Sequence, residues 1–123
     1  MPSSPVTTLS DMEAQTFPWG AIKWLMSGAI DAGAEQTFGM VYINPGDENP
    51  RHYHPTCEEI LYVLSGTCEH TLGDRVYRMR PGDTIRVPTG VVHHAINDGW
   101  EPLRAMISFS SGDRKTVFVD QEK

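Results

Sequence analysis

The chain is short of several features that would each announce a class of protein. It has only two cysteines, Cys57 and Cys68, too few for a disulfide framework, and a pair of reduced thiols is the expected state. It has 10 Lys and Arg against 16 Asp and Glu, a formal net charge of −6. Nucleic-acid binders concentrate basic residues on one face. No Lys/Arg cluster occurs here, so no nucleic-acid partner is expected. No apolar run approaches the roughly 20 residues of a membrane span, and no membrane partner is expected. The stretch Met1 to Ser10 lacks a basic region followed by an apolar one. It does not read as a signal peptide, and a cytoplasmic location is expected. No segment keeps an apolar period of 3.6 long enough to predict a confident helix.

What is present suits one soluble domain. The 123 residues are 39% hydrophobic and 21% charged, enough to bury one core and too few for two. The first residues carry Pro2, Pro5 and several Ser/Thr, so 1–18 is read as a flexible arm and 19–123 as a single domain. Ser10 and Glu13 have capping-box spacing, which allows a helical turn near 10–15. From Trp19 onward turn signals recur. Pro45-Gly46 suits a type II turn, Gly73-Asp74 a tight hairpin, and Pro81-Gly82-Asp83 and Asn97-Asp98-Gly99 are further breaks. Between them lie short segments rich in β-branched and aromatic residues: 21–26, 37–43, 60–64, 68–72, 76–79, 84–87, 93–96, 103–109 and 116–119. Many short strands with regular turns predict an all-β sandwich or barrel.

Histidine is scarce, with five residues, yet four fall in two compact groups. His52 and His54 lie two apart in an extended segment, so both project from one face. Glu59 opens the next strand and offers a carboxylate. His93, after Pro88-Thr89-Gly90, offers a fourth ligand from a separate strand. A lone His-x-His is as often a pair of surface histidines as a metal site. The residues around it decide the matter.

From Gly46 to Gly66 the chain reads Gly46, five residues, His52, one, His54, four, Glu59, six, Gly66. From Gly82 to Asn97 it reads Gly82, five residues, Pro88, one, Gly90, two, His93, three, Asn97, with fifteen residues between the two stretches. These ten positions resemble the two motifs of the cupin superfamily, in the spacing of its small single-domain members. The resemblance implies a cupin jelly-roll β-barrel, or double-stranded β-helix. It also implies a metal site built from His52, His54, Glu59 and His93, and a homodimer. Gly46, Gly66, Gly82, Gly90, Pro88 and Asn97 read as structural. Glycine tolerates costly dihedrals, proline stiffens the approach to His93, and asparagine holds a turn.

Three imidazoles and a carboxylate suit one divalent transition metal ion, Fe, Mn, Ni, Cu or Zn, more than Ca or Mg. Four protein ligands leave coordination positions open, which is what a catalytic site needs. The expected function is a metal-dependent enzyme acting on a small-molecule substrate. A dioxygenase-type oxidoreductase leads; a lyase, decarboxylase or isomerase is the alternative, and a non-catalytic binding cupin a further one.

Strand parity suggests the pocket. With Glu59 inward, Leu61 and Val63 follow it and Tyr62 faces out. His70 can face either way. His94, next to His93, points away from it on a strand. Met40, with Phe38 and Tyr42 on one face of its strand, is a candidate for the pocket mouth. Arg104 would favour an anionic substrate if it faces inward, though a solvated arginine is the commoner case. Trp19 and Trp24 suit either the closed end of a barrel or a subunit interface.

Overall fold

The computed structural model describes residues 4–120. A 3-10 turn, Leu9–Asp11, precedes eleven strands: β1 (Ala14–Phe17), β2 (Gly20–Met26), β3 (Thr37–Ile43), β4 (His52–Tyr53), β5 (Glu59–Ser65), β6 (Cys68–Leu72), β7 (Arg75–Met79), β8 (Thr84–Val87), β9 (His93–Ile96), β10 (Leu103–Phe109) and β11 (Val117–Phe118). They form two antiparallel sheets, β1-β2-β3-β10-β5-β8 and β11-β4-β9-β6-β7. This is the all-β jelly-roll barrel that the spacing of turns and motifs implied.

Period-two patterning explains the sheet faces. In β3 Thr37, Gly39, Val41 and Ile43 are buried and the residues between them are not. Strand β5 buries Glu59, Leu61 and Val63 and exposes Ile60, Tyr62 and Leu64. Strand β10 buries Leu103, Ala105, Ile107 and Phe109. Because β10 lies between β3 and β5, with Ile107 paired to both Gly39 and Leu61, the three buried sets merge into one floor. Cys68, Met79 and Ala95 complete the core from the facing sheet. Burying a side chain such as Leu61 stabilises the fold by about 1.5–3 kcal/mol.

The turns hold as read. Asp47 N–H donates to Asn44 O (3.1 Å) across Pro45-Gly46, with Gly46 at φ 82°. Gly66 sits at φ 79°, and a Cβ there would lie 2.4 Å from the Pro102 carbonyl oxygen, so two constraints demand glycine. Asn97 is fully buried. Its Nδ2 donates to Ile43 O and Glu101 O, and its Oδ1 accepts from Gly99 N–H. One side chain thereby ties the end of β3 to the loop between β9 and β10.

The N-terminal segment differs from the sequence reading. The 3-10 turn is entered from Thr8 with no side-chain cap, so the Ser10/Glu13 box does not form. Within the segment read as an arm, Ala14–Phe17 is instead a strand that pairs with β2 in the register Phe17↔Gly20 to Ala14↔Lys23. Its residues are mostly exposed, and a strand with so little burial leaves a weak periodic signal.

Candidate metal centre

Four elements deliver the four candidate ligands. His52 lies on β4, paired across the sheet with His93 on β9. His54 follows β4 in the loop that leads to β5, and Glu59 is the first residue of β5. One ligand atom from each lies within 4.8 Å of all the others. The imidazoles crowd together, with ring centroids 4.3 Å (His52–His93), 5.0 Å (His52–His54) and 5.1 Å (His54–His93) apart.

Backbone carbonyls set the orientation of each ring. His52 Nδ1–H donates to Pro50 O (2.7 Å), His54 Nδ1–H to Lys115 O (2.9 Å) and His93 Nδ1–H to Val91 O (2.9 Å). A carbonyl only accepts, so each Nδ1 carries a proton and each Nε2 is the ring nitrogen left to face the centre. Orienting contacts of this kind accompany metal-bound histidines.

The inner face is then rich in acceptors. His93 Nε2 lies 3.0 Å and His54 Nε2 3.3 Å from the same Glu59 oxygen, Oε1. His54 Nε2 is buried and aligned with no hydrogen-bond donor or acceptor. Lone pairs on two nitrogens and a carboxylate facing one another repel unless a cation lies among them. Burial works to raise the Glu59 pKa; in the metal-free chain a proton shared with His54 and His93 stands in for the cation, and their hydrogen bonds outweigh burial and hold the carboxyl well below the usual range. Burial, reinforced by His93, pushes His52 down to about 4 and keeps it neutral. Neutral imidazoles and an ionised carboxylate are the protonation states a divalent transition metal requires, so the residues present fit such an ion.

The centre opens into a cavity of about 370 Å³. Leu61 and His70, both candidates from parity, line it. The His70 ring stacks on His93 at 5.8 Å, and burial draws its pKa down to about 4. Three other pocket candidates lie elsewhere. Val63 is fully buried in the hydrophobic core and does not reach the cavity. Met40 falls on the outer face of β3, because Val41 and Ile43 take the inner one. Arg104 is exposed on the outer face of β10, between buried Leu103 and Ala105. His94 points its ring at Thr71 Oγ1 (2.8 Å) and Glu48 Oε1 (2.7 Å), away from the four ligands.

Two segments of the wall had no motif to mark them. The β1–β2 hairpin supplies Gln15, Phe17, Trp19, Ile22 and Trp24, and Phe17 stacks on Trp19 at 4.7 Å. The alternation of Ile22 and Trp24 was the available signal. The chain after β10 supplies Arg114, Thr116 and Phe118. Arg114 carries its guanidinium 4.4 Å from the Trp24 ring centroid and 5.4 Å from that of Phe109. Nothing in its local sequence marks it. Cys57, in the loop before Glu59, is buried, and burial raises its pKa.

Comparison with known proteins agrees with this fold. A family model described as Cupin domain matches residues 39–109. Protein SchB of Streptomyces halstedii is 38% identical over 69 residues, 55% of this chain and 50% of SchB. Oxalate oxidase GF-2.8 of Triticum aestivum is 32% identical over 83 residues, 61% of this chain and 37% of the oxidase. The chain thus spans half or less of the length of these relatives. Among solved structures, Bacillus subtilis oxalate decarboxylase, studied for its Mn(II) centres, superimposes with a TM-score of 0.83 at 24% identity, covering 90% of this chain and 31% of that one. An uncharacterized Klebsiella pneumoniae protein with a double-stranded β-helix domain gives 0.79 at 20% identity, covering 97% and 100%.

Proposed function

Because the chain belongs to the cupin domain family, we propose that it is a metal-dependent enzyme that oxidises a small organic molecule with dioxygen. The observation that carries the reading is the convergence of His52, His54, Glu59 and His93 at a largely apolar, roofed cavity. These four would be the protein ligands of one divalent transition metal ion. Held there, such an ion supplies Lewis acidity and, when redox-active, electron transfer to dioxygen, with positions left for substrate. The chain's own contribution is orientation and exclusion of water. Pro50, Lys115 and Val91 carbonyls fix the imidazoles, and Trp19, Trp24 and Phe109 keep the cavity apolar. His70 and His52, both neutral, add no charge to the wall.

A lyase, with decarboxylation as the leading case, is the second reading. The fold neighbours that favour it include an oxalate decarboxylase, whereas a sequence relative is an oxalate oxidase. Elemental analysis of the purified chain divides the readings. One metal per chain is expected, lost in His52→Ala and His93→Ala. Iron, manganese or copper with oxygen uptake on a panel of small organic acids supports oxidation. Carbon dioxide release without oxygen uptake supports decarboxylation. A chain that takes up no metal refutes both.

No helix among the described residues is long and apolar enough to cross a membrane, and a cytoplasmic location is part of this proposal. So is a homodimer. The outer face of β3, β10 and β5 exposes Phe38, Tyr42, Ile60, Tyr62 and Leu64. The registers Phe38–Ser108–Ile60 and Met40–Met106–Tyr62 make them one continuous patch. Contiguous apolar surface of this kind marks interaction sites, and a second copy of the chain is the occupant proposed.

A further inference from the structure

The cavity contains one cationic side chain that the metal centre does not use. Arg114 is half-buried between β10 and β11, and burial draws its pKa below the ordinary arginine value without removing its charge. A guanidinium carries five N–H donors. Among the described residues the hydrogen bond that Arg114 makes is to its near neighbour Thr116 Oγ1, and it forms no ion pair. The nearby carboxylate Asp113 pairs with Lys115 instead (3.0 Å). In a chain of net charge −6, a part-buried arginine with no carboxylate in contact stands out; Glu59 acts on it only through space.

Its placement is built. The guanidinium lies over the Trp24 and Phe109 rings, and the Phe109 ring also meets that of His54 at 4.9 Å between centroids. Phe109 and Thr116, whose Oγ1 lies 3.3 Å from His54 Nδ1, both connect Arg114 to the metal centre. The supporting loop is anchored at three points. Gly28 N–H donates to Gly112 O (2.8 Å), Thr37 Oγ1 donates to Ser111 O (2.7 Å), and Lys115 O accepts from His54. Trp24 Nε1–H occupies Gln15 Oε1 (3.2 Å), which leaves the Gln15 amide NH2 as a second donor on the same wall. The same hairpin continues the lining with the apolar Phe17, Trp19 and Ile22, and Leu61 of β5 joins them.

We propose that the cavity takes a carboxylate-bearing ligand with a flat apolar body, the carboxylate on the Arg114 guanidinium and the body along the Phe17–Trp19–Ile22 wall. The planar fork of a guanidinium matches a carboxylate in two-point contact. The aromatic walls favour a flat apolar body over a compact hydrophilic anion. The charge balance agrees: a dication with one carboxylate ligand leaves a net positive centre, and Arg114 adds a second positive charge. This part rests on the proposed metal-dependent function; the Arg114 contact does not.

The test is therefore run on the chain both metal-loaded and after chelation. Benzoate, benzamide and acetate are titrated while tryptophan fluorescence is followed, with calorimetry in parallel. Trp19 and Trp24 line the cavity, and Trp100 is exposed and gives a constant background. Benzoate should bind the chelated chain at least about tenfold more tightly than benzamide or acetate, the range of a charge-assisted contact. Arg114→Met, which keeps the packing of the side-chain stem on Trp24, should remove that preference, and Arg114→Lys should keep part of it. Equal binding of benzoate and benzamide, no benzoate binding at millimolar concentration, or unchanged benzoate affinity in both variants would overturn the proposal. If the preference is present but no metal is ever bound, the ligand class stands and the metal-dependent function falls.

Discussion

Acid should loosen the metal-free protein well before its carboxylates begin to titrate. His52 and His70 are buried and each titrates at about 4 in the folded chain, against about 6.5 when unfolded. Between these values the unfolded chain binds more protons, so stability rises with pH and is lost as the solution is acidified from 6.5 toward 4. Linkage gives about 2 kcal/mol per histidine between roughly pH 7.5 and pH 5, or about 4 kcal/mol for the pair. Glu59 acts with the same sign in a different window. Its folded pKa is depressed, so its contribution is present above the ordinary carboxylate pKa and lost only as pH falls below about 4.3. The histidines therefore dominate the mildly acidic range. Urea unfolding of the chelated protein at the two pH values measures the loss directly. His70→Gln should cut it by about half, because its replacement does not titrate. A loss that is unchanged in His70→Gln, or a metal-free chain equally stable at both pH values, would refute the argument that burial keeps these imidazoles neutral.

Metal should reverse that sensitivity. A site that binds only the folded chain adds stability by mass action, about 2.7 kcal/mol at a free metal concentration one hundred times the Kd, and calorimetric melting with and without chelator reads it. Asn97→Ala leaves Ile43 O and Glu101 O without the Nδ2 donor and Gly99 N–H without its acceptor. It should cost about 2–4 kcal/mol in urea unfolding, with no direct effect on the metal stoichiometry of the folded fraction. Tyr62→Lys places a charge in the middle of the outer apolar patch. It should shift the chain from dimer to monomer in light scattering while its melting temperature at high dilution stays near that of the parent. A parent chain that is monomeric at every concentration refutes the dimer.

The legibility of this chain divides along physical lines. Strands β3, β5 and β10 were readable because their residues alternate between a buried and an exposed face, as Glu59, Leu61 and Val63 do on β5, and others, such as β7 and β11, because β-branched and aromatic residues lie between turn signals. Strand β1 was not, since it lies at a sheet edge and buries little. The same parity rule that placed Leu61 on the cavity misplaced Met40, since it could say which residues share a face but not which face of β3 looks inward. On β10 a solvated Arg104 was the commoner expectation, and the structure leaves it outside.

The candidate site divides in the same way, and the division has a cause. The three histidine candidates each lie within three residues of a backbone constraint, Pro50 before His52, Pro55 after His54 and the positive-φ Gly90 before His93, and Glu59 stands at a set distance between them and Gly66. Such constraints leave a fixed spacing in sequence, so the four ligand candidates could be named from it. The remainder of the cavity comes from the β1–β2 hairpin and the chain after β10, which pack on the barrel through side chains and single backbone contacts such as Gly28–Gly112. A Cβ on Gly112 would lie 1.8 Å from Ala34 O, so the position of Arg114 depends on a contact between segments almost eighty residues apart. No local pattern encodes a contact of that range. The positions that would hold the ion are therefore written into motif spacing. The side chains that would choose the substrate, Arg114 above all, become visible only when the chain is folded.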